Sequence, residues 1–238
     1  MTGFQMKIVA VISMLTDHIG YIFFPREMVF RVIGRIAFPI YAFLIAEGFG
    51  HTKSRIKYAA RLGLFALISE IPFDLAFCKA WFDPSSQNVF ISLLLGLLCI
   101  WTIDELKTRN KKLVILSPAI TAAFGYAAFL LKCDYTWYAV LLITVFYFCL
   151  NSRFSPAAGL ACCVPVYFTG KVYNSIKNNT KWLTESFIVF NCSGLLAIPF
   201  IAAYNGEKGY SSQIVKIAFY VFYPAHLLIL YGIYLMIH

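Results

Sequence analysis

The chain has 238 residues, 61% of them apolar and 13% charged, with a mean hydropathy of +0.74 and a formal net charge of +9. A soluble domain carries about 45–50% apolar and 25% charged residues, so a globular enzyme on a single anchor is excluded. Apolar runs of spanning length recur from end to end, which predicts an all-α, polytopic membrane protein forming one domain over 1–238. The positive charge reads as loop charge facing anionic lipid and the cytoplasm, with no nucleic-acid partner.

The first predicted span, 4–24, is too long and too polar at its centre for the apolar core of a signal peptide, because it contains Thr16-Asp17-His18. His18 follows Lys7 by 11 positions. At about 1.5 Å per residue this places the imidazole roughly 16 Å deep, near the middle of a ~30 Å hydrocarbon layer. Eleven steps of about 100° leave both side chains on nearly one helix face. Ionisable groups at that depth mark a functional interior by default, the alternative being a histidine that only bonds a neighbouring helix.

Further spans are expected at 31–49, 58–78, 88–103, 113–131, 134–150, 154–170, 183–203 and 215–237. That makes about nine helices, within a range of eight to ten, around a polar cavity near the midplane. Lys53, Arg55 and Lys57 after the second span fall on the side of Lys7. So do Lys107, Arg109, Lys111 and Lys112 after the fourth, and Lys208 and Lys216 beside the last. The bias gives a cytoplasmic N-terminus, with loops 50–57 and 104–112 inside and 79–87 and 171–181 outside. Lys171, Lys177 and Lys181 weaken the contrast. Asn178-Asn179-Thr180 fits a glycosylation sequon that chance also supplies. Seven cysteines without a Cys-x-x-Cys pair read as small buried hydrophobes, with no metal site expected.

The second and third spans carry the densest polar chemistry. Arg31 and Arg35 share one helix face, and Glu70 and Asp74 share another. In an uninterrupted antiparallel hairpin, residues at equal depth have equal index sums, so Arg31 is expected opposite Asp74 and Arg35 opposite Glu70. Pro72, between the acids, frees a backbone carbonyl. Such pairs also serve structure alone, but Asp17, His18, Glu47 and His226 remain in excess. His226, ten residues beyond Lys216 and just after Pro224, should also lie about 15 Å deep. Asn205-Gly206 reads as a turn.

These residues resemble the TraX family. The resemblance rests on Thr16-Asp17-His18-Ile19-Gly20, Ile33-Gly34-Arg35-Ile36-Ala37-Phe38-Pro39 and Glu47-Gly48-Phe49. It continues in Ile68-Ser69-Glu70-Ile71-Pro72-Phe73-Asp74, Tyr204-Asn205-Gly206 with Gly209, and Tyr223-Pro224-Ala225-His226-Leu227-Leu228. Lys7 with His18 is also similar to the Arg-x10-His signature of bacterial membrane acyltransferases, with Lys for Arg. The chain departs from the family pattern at Asp134-Tyr135-Thr136-Trp137-Tyr138-Ala139, where two glycines are expected near Thr136 and Ala139. Helix approach at that hairpin is therefore expected to suffer.

The resemblance implies a membrane acetyltransferase of the bacterial cytoplasmic membrane, since the founding TraX role is acetylation of the conjugative pilus subunit at its N-terminus. Cytoplasmic acetyl-CoA is then the donor, and a pilin-like amine, a glycan hydroxyl or a small molecule is the acceptor. No metal or haem is required, and membrane lipids are partners. His18 is the expected general base, with a covalent acetyl-histidine intermediate as the second route, and Asp17, Arg35, Glu70 and Asp74 are in the catalytic set. Arg31, Glu47, Tyr223 and His226 are expected to shape the substrate site, and Lys53, Arg55, Lys57 and Arg61 to meet the phosphates of the donor. Topology explains those four cations equally well. Two rival readings stand beside this one. A proton-coupled transporter would use Asp17, His18, Glu70 and Asp74, though no internal repeat is visible. A membrane cytochrome would need axial histidines, of which only His18 and His226 lie within spans.

Overall fold

The apolar periodicity resolves into helices throughout. The computed structural model describes residues 1–150, 155–177 and 185–237, and among these no strand occurs, only an isolated bridge between Gln87 and Cys133. The α-helices are α1 Gly3–Phe23, α2 Met28–Gly34, α3 Ala37–His51, α4 Arg55–Phe73, α5 Val89–Arg109 and α6 Ser117–Leu130. They continue as α7 Thr136–Leu150, α8 Pro156–Lys177, α9 Glu185–Cys192, α10 Ile198–Ala202 and α11 Gln213–Ile237. Among the described residues, five helical stretches are long and apolar enough to cross a membrane: Gly3–Phe23, Met28–His51, Val89–Arg109, Lys111–Leu130 and Gln213–Ile237. Two shorter apolar stretches, Thr136–Leu150 and Ile188–Ala202, stand beside them. The structure thus supports an all-helical chain with five candidate spans; α4 is long enough but carries Arg55, Lys57, Arg61 and Glu70.

Several expected boundaries move, each for a local reason. The predicted span 31–49 is broken between α2 and α3, at Arg35 and Ile36. Pro39 has no N–H to give the carbonyl of Arg35 and its ring crowds that carbonyl, which favours a break in the helix at this point. The chain turns tightly there instead, Ile36 N–H donating to Ile33 O at 3.2 Å. Pro72 acts similarly in the predicted span 58–78: α4 ends at Phe73 and a single π-helical turn, Asp74–Cys78, follows. α5 runs on to Arg109, beyond the expected end at 103. α8 continues through Lys177, so Lys171 and Lys177 belong to a helix and not to an external loop. Lys181 and the sequon at 178–180 lie outside the described residues.

The contacts group into two compact units. The first comprises 1–41, 154–219 and 229–238, the second 42–153 and 220–228. In the first, α1 begins at a capping box between Thr2 and Gln5. Its N-terminus is tied down by the 203–208 turn, with Gly3 N–H on Glu207 O at 2.8 Å and Phe4 N–H on Lys208 O at 3.0 Å. Gly206 takes the left-handed conformation, φ 79°, that the Asn-Gly turn predicted. α1 and α2 approach closely because Gly20 faces Phe30 and Gly34 faces Asp17 with no room for a Cβ.

In the second unit, α5 and α7 form the centre, burying Leu97, Ile100, Ile103, Val140, Ile143 and Phe146. Phe43 of α3 meets Phe146 edge-on at 5.7 Å. The 220–228 stretch of α11 joins this unit through rings, Tyr220 stacking on Phe65 at 5.1 Å and Tyr223 meeting Phe90 edge-on at 5.2 Å.

Two candidate polar sites, one in each unit

In the first unit, the buried stripe of α1 follows helical spacing: Met6, Ala10, Ser13, Met14 and His18. His18 is buried, 9% exposed, and Lys7 on the same face is half-buried with its ammonium 5.7 Å from the Phe219 ring. Asp17 points elsewhere, about 100° around the helix. It forms an ion pair with Arg31 at 3.0 Å. The bare Gly34 Cα lets α2 come close enough for that bond, because a side chain at 34 would occupy the space of the Asp17 carboxylate. Arg31 also lies 5.1 Å from the Tyr21 ring and 5.6 Å from Phe190, and Arg35 covers Phe190 at 4.0 Å. Two guanidiniums thus share one aromatic face, with an aspartate holding the first.

This corrects the pairing drawn from index sums. Arg31 takes Asp17, not Asp74, as its carboxylate, while Glu70 of α4 and Asp74 just after it find partners inside their own unit. The sum rule assumes two uninterrupted helices, and the breaks near Pro39 and Pro72 remove that premise.

In the second unit, Asn88 organises the acids. Its Oδ1 caps α5 by accepting from Phe90 N–H at 3.0 Å, and its amide donates to Ala66 O at 2.8 Å and to the Glu70 carboxylate. Asp74 is fully buried and accepts from Asp83 N–H at 2.9 Å. One oxygen each of Glu70 and Asp74, and the Ser69 hydroxyl, make no hydrogen bond. Buried acceptors left open in this way are uncommon and mark a place where a ligand, water or proton belongs. Asp83 itself, in the loop outside the helices, is held below the usual carboxylate range by hydrogen bonds from the Ser85 hydroxyl and backbone. The Tyr223 hydroxyl accepts from Val89 N–H at the start of α5.

His226 is buried; its ring stacks on Phe222 at 4.8 Å and meets Tyr223 edge-on at 5.7 Å. Nδ1 lies 2.7 Å from the Phe222 carbonyl. A carbonyl only accepts, so Nδ1 carries the proton and the lone pair of the neutral ring is on Nε2.

The basic group expected to meet phosphates divides. Lys53, Lys57 and Arg61 are exposed, and Arg61 hydrogen-bonds Tyr220. Arg55 is instead engaged by Asp104 and by Glu105, the latter at 3.2 Å, over the Phe49 ring at 4.5 Å. Tyr147 donates to Asp104 at 2.6 Å and Trp101 to Glu105 at 3.2 Å. Glu47 sits beside this end of the unit, 3.1 Å from the His51 ring one turn on.

Sequence reasoning passed over Asn88, Asp104, Glu105 and Tyr147. An asparagine just before an apolar run is a helix-start signal, so Asn88 was findable. The acids at 104 and 105 signal their partner only through the opposing cations at 53–57.

A model of TraX protein matches residues 2–234, nearly the whole chain. A relative from Dichelobacter nodosus, named as a probable fimbrial assembly protein FimC of serogroup H1, is 28% identical over 244 residues. That match covers 96% of this chain and 94% of the relative. An uncharacterized protein of Rickettsia prowazekii (strain Madrid E) is 32% identical over 97 residues, 40% of this chain and 36% of its own. No solved structure matches.

Proposed function

The chain belongs to the TraX protein family, and from that premise we propose that it is a membrane acetyltransferase using acetyl-CoA, with His18 as general base. The observation that carries this reading is the buried imidazole of His18 on α1, one residue from the ion pair of Asp17 with Arg31. Neutral His18 removes the proton of an amine or hydroxyl as that group attacks the thioester carbonyl. The carbonyl oxygen becomes an oxyanion, which Arg31 or Arg35 stabilises. Collapse expels the thiolate of CoA, and the imidazolium returns the proton to it. Asp17 acts through Arg31, fixing the cation in place, and does not touch the imidazole.

Glu70, Asp74, Tyr223 and His226 form a separate polar site within the second unit, whose open carboxylate oxygens can each accept a hydrogen bond. Lys53, Lys57 and Arg61 supply charge for the phosphates of CoA, while Arg55 is occupied by its own acids. The chain resides in the bacterial cytoplasmic membrane with its N-terminus inside, where acetyl-CoA is found. A pilin-like acceptor accords with the name of the Dichelobacter nodosus relative.

Purified protein in detergent, incubated with acetyl-labelled CoA and peptides with free N-termini, sugars or small envelope metabolites, tests the reading. Label should pass to one acceptor class. His18→Asn keeps size and polarity but not basicity, so turnover should fall about 10²–10⁴-fold with the protein still folded. Near-normal turnover in His18→Asn overturns the general-base assignment.

A further inference from the structure

α6 and α7 are antiparallel neighbours of the second unit and leave a groove of about 590 Å³ between them. Its walls are Pro118, Ala122, Tyr126 and Phe129 on α6 and Leu141 and Phe148 on α7. These follow helical spacing, so the groove runs along both helices instead of crossing them. From Ser117 to Phe129 is twelve residues, about 18 Å of helix, comparable with one leaflet of a ~30 Å hydrocarbon layer.

Three hydroxyls on the wall already have partners within the protein. Ser117 donates to Val114 O at 2.6 Å, Thr121 donates to Ser117 O at 2.8 Å, and Thr144 lies 3.5 Å from the Cys99 sulfur. What remains is a largely apolar trough on helices that read as membrane-embedded, with Tyr126 and Phe129 exposed along it.

An apolar trough alone does not choose among lipids, because lipid tails are as apolar as leucine. Selection has to come from a headgroup, and the Ser117 end of the groove supplies the charge for one. The 3-10 helix Lys111–Leu116 leads directly into Ser117 and starts with exposed Lys111 and Lys112, just after exposed Arg109. Lys107 stands on the ring of Tyr147, the neighbour of groove residue Phe148, at 5.8 Å. These cations therefore lie on the Ser117 side of the groove, beyond its apolar lining. At the other end the lining is made by Phe129 and Trp137.

We propose that this groove binds an anionic phospholipid, one acyl chain lying between α6 and α7 and the headgroup phosphate held by Lys107, Arg109, Lys111 and Lys112. Clustered basic residues at a membrane surface favour anionic headgroups in general. Here the apolar trough beside them converts that attraction into a site with a defined tail position.

The test uses the full chain in detergent. Thermal unfolding and native mass spectra are recorded with phosphatidylglycerol and with phosphatidylcholine of the same acyl chains. Phosphatidylglycerol should raise the unfolding temperature more and remain bound as a single copy. Lys111→Gln with Lys112→Gln, both exposed and remote from the core, should abolish the preference between headgroups. Ala122→Trp fills the trough from an exposed position and should lower retention of both lipids without changing the unfolding temperature in lipid-free detergent. Equal responses to the two lipids in the unaltered protein overturn the proposal, as does a headgroup preference that survives the double lysine variant. A mass corresponding to two chains, lost in Ala122→Trp, would assign the groove to a second copy instead and equally overturn it.

Discussion

Thr136 adopts φ 44° and its neighbour Tyr135 φ 60°, in the left-handed region that a β-branched residue rarely enters. These positions open α7, where the family pattern leads one to expect glycine, so the departure leaves backbone strain at this turn. Helix approach survives nonetheless, because Gly125 of α6 lets Trp137 come within 3.3 Å of where a Cβ would stand. Thr136→Gly should therefore stabilise the protein by about 1 kcal/mol, read as a higher unfolding temperature in detergent. The same logic runs the other way at Gly34, where a methyl would overlap Asp17. Gly34→Ala should cost about 1–3 kcal/mol and loosen the bond between Asp17 and Arg31. Gly50, with open space around it near the end of α3, is the control: alanine there should gain about 0.5–1 kcal/mol from helix propensity. If the two substitutions had equal effects, the close approach of α1 and α2 would not be what positions Arg31.

At the scale of elements, Asn88 joins α4 to α5 by three bonds from one side chain. Asn88→Ala removes the cap of α5, the second bond to the Ala66 carbonyl and the amide donor of Glu70, so it should destabilise by about 2 kcal/mol. Asn88→Ser keeps a capping oxygen and should recover part of that loss without restoring the contact with Glu70. A serine variant no better than the alanine one would mean that the cap contributes little.

The elements also show what was legible in the sequence. The apolar periods located nearly every helix, and the polar residues singled out in 16–18, 31–35 and 70–74 do lie in buried or half-buried surroundings. The partners were not legible, because they depend on where helices stop. Two prolines, Pro39 and Pro72, break the helices on which the expected pairing was drawn. The glycines at 20 and 34 then bring a different helix, α1, against Arg31. A pattern of residues reports faces of regular helices, whereas these contacts are made where regularity fails.

For the whole molecule, α5 is the best ruler. Its 21 residues correspond to about 31 Å, close to the ~30 Å hydrocarbon thickness, and its long axis separates two different ends. One end carries the loop at 79–87 with Asp83 and exposed Ser85; the other carries Lys107, Arg109, Lys111 and Lys112 with exposed Thr108. Cations gather at the second end, and Arg55 at the start of α4 lies there too, bonded to Asp104 and Glu105. The positive-inside rule then predicts Thr108 in the cytoplasm and Ser85 outside. In intact cells expressing single-cysteine variants in a background without the native cysteines, a membrane-impermeant thiol reagent should modify a cysteine at 85. It should reach one at 108 only after the membrane is opened. Labelling of both positions in intact cells would mean that α5 does not span. The reverse pattern would place the cationic end outside and the end that carries Asp74 and Glu70 in the cytoplasm, and would overturn the proposed orientation.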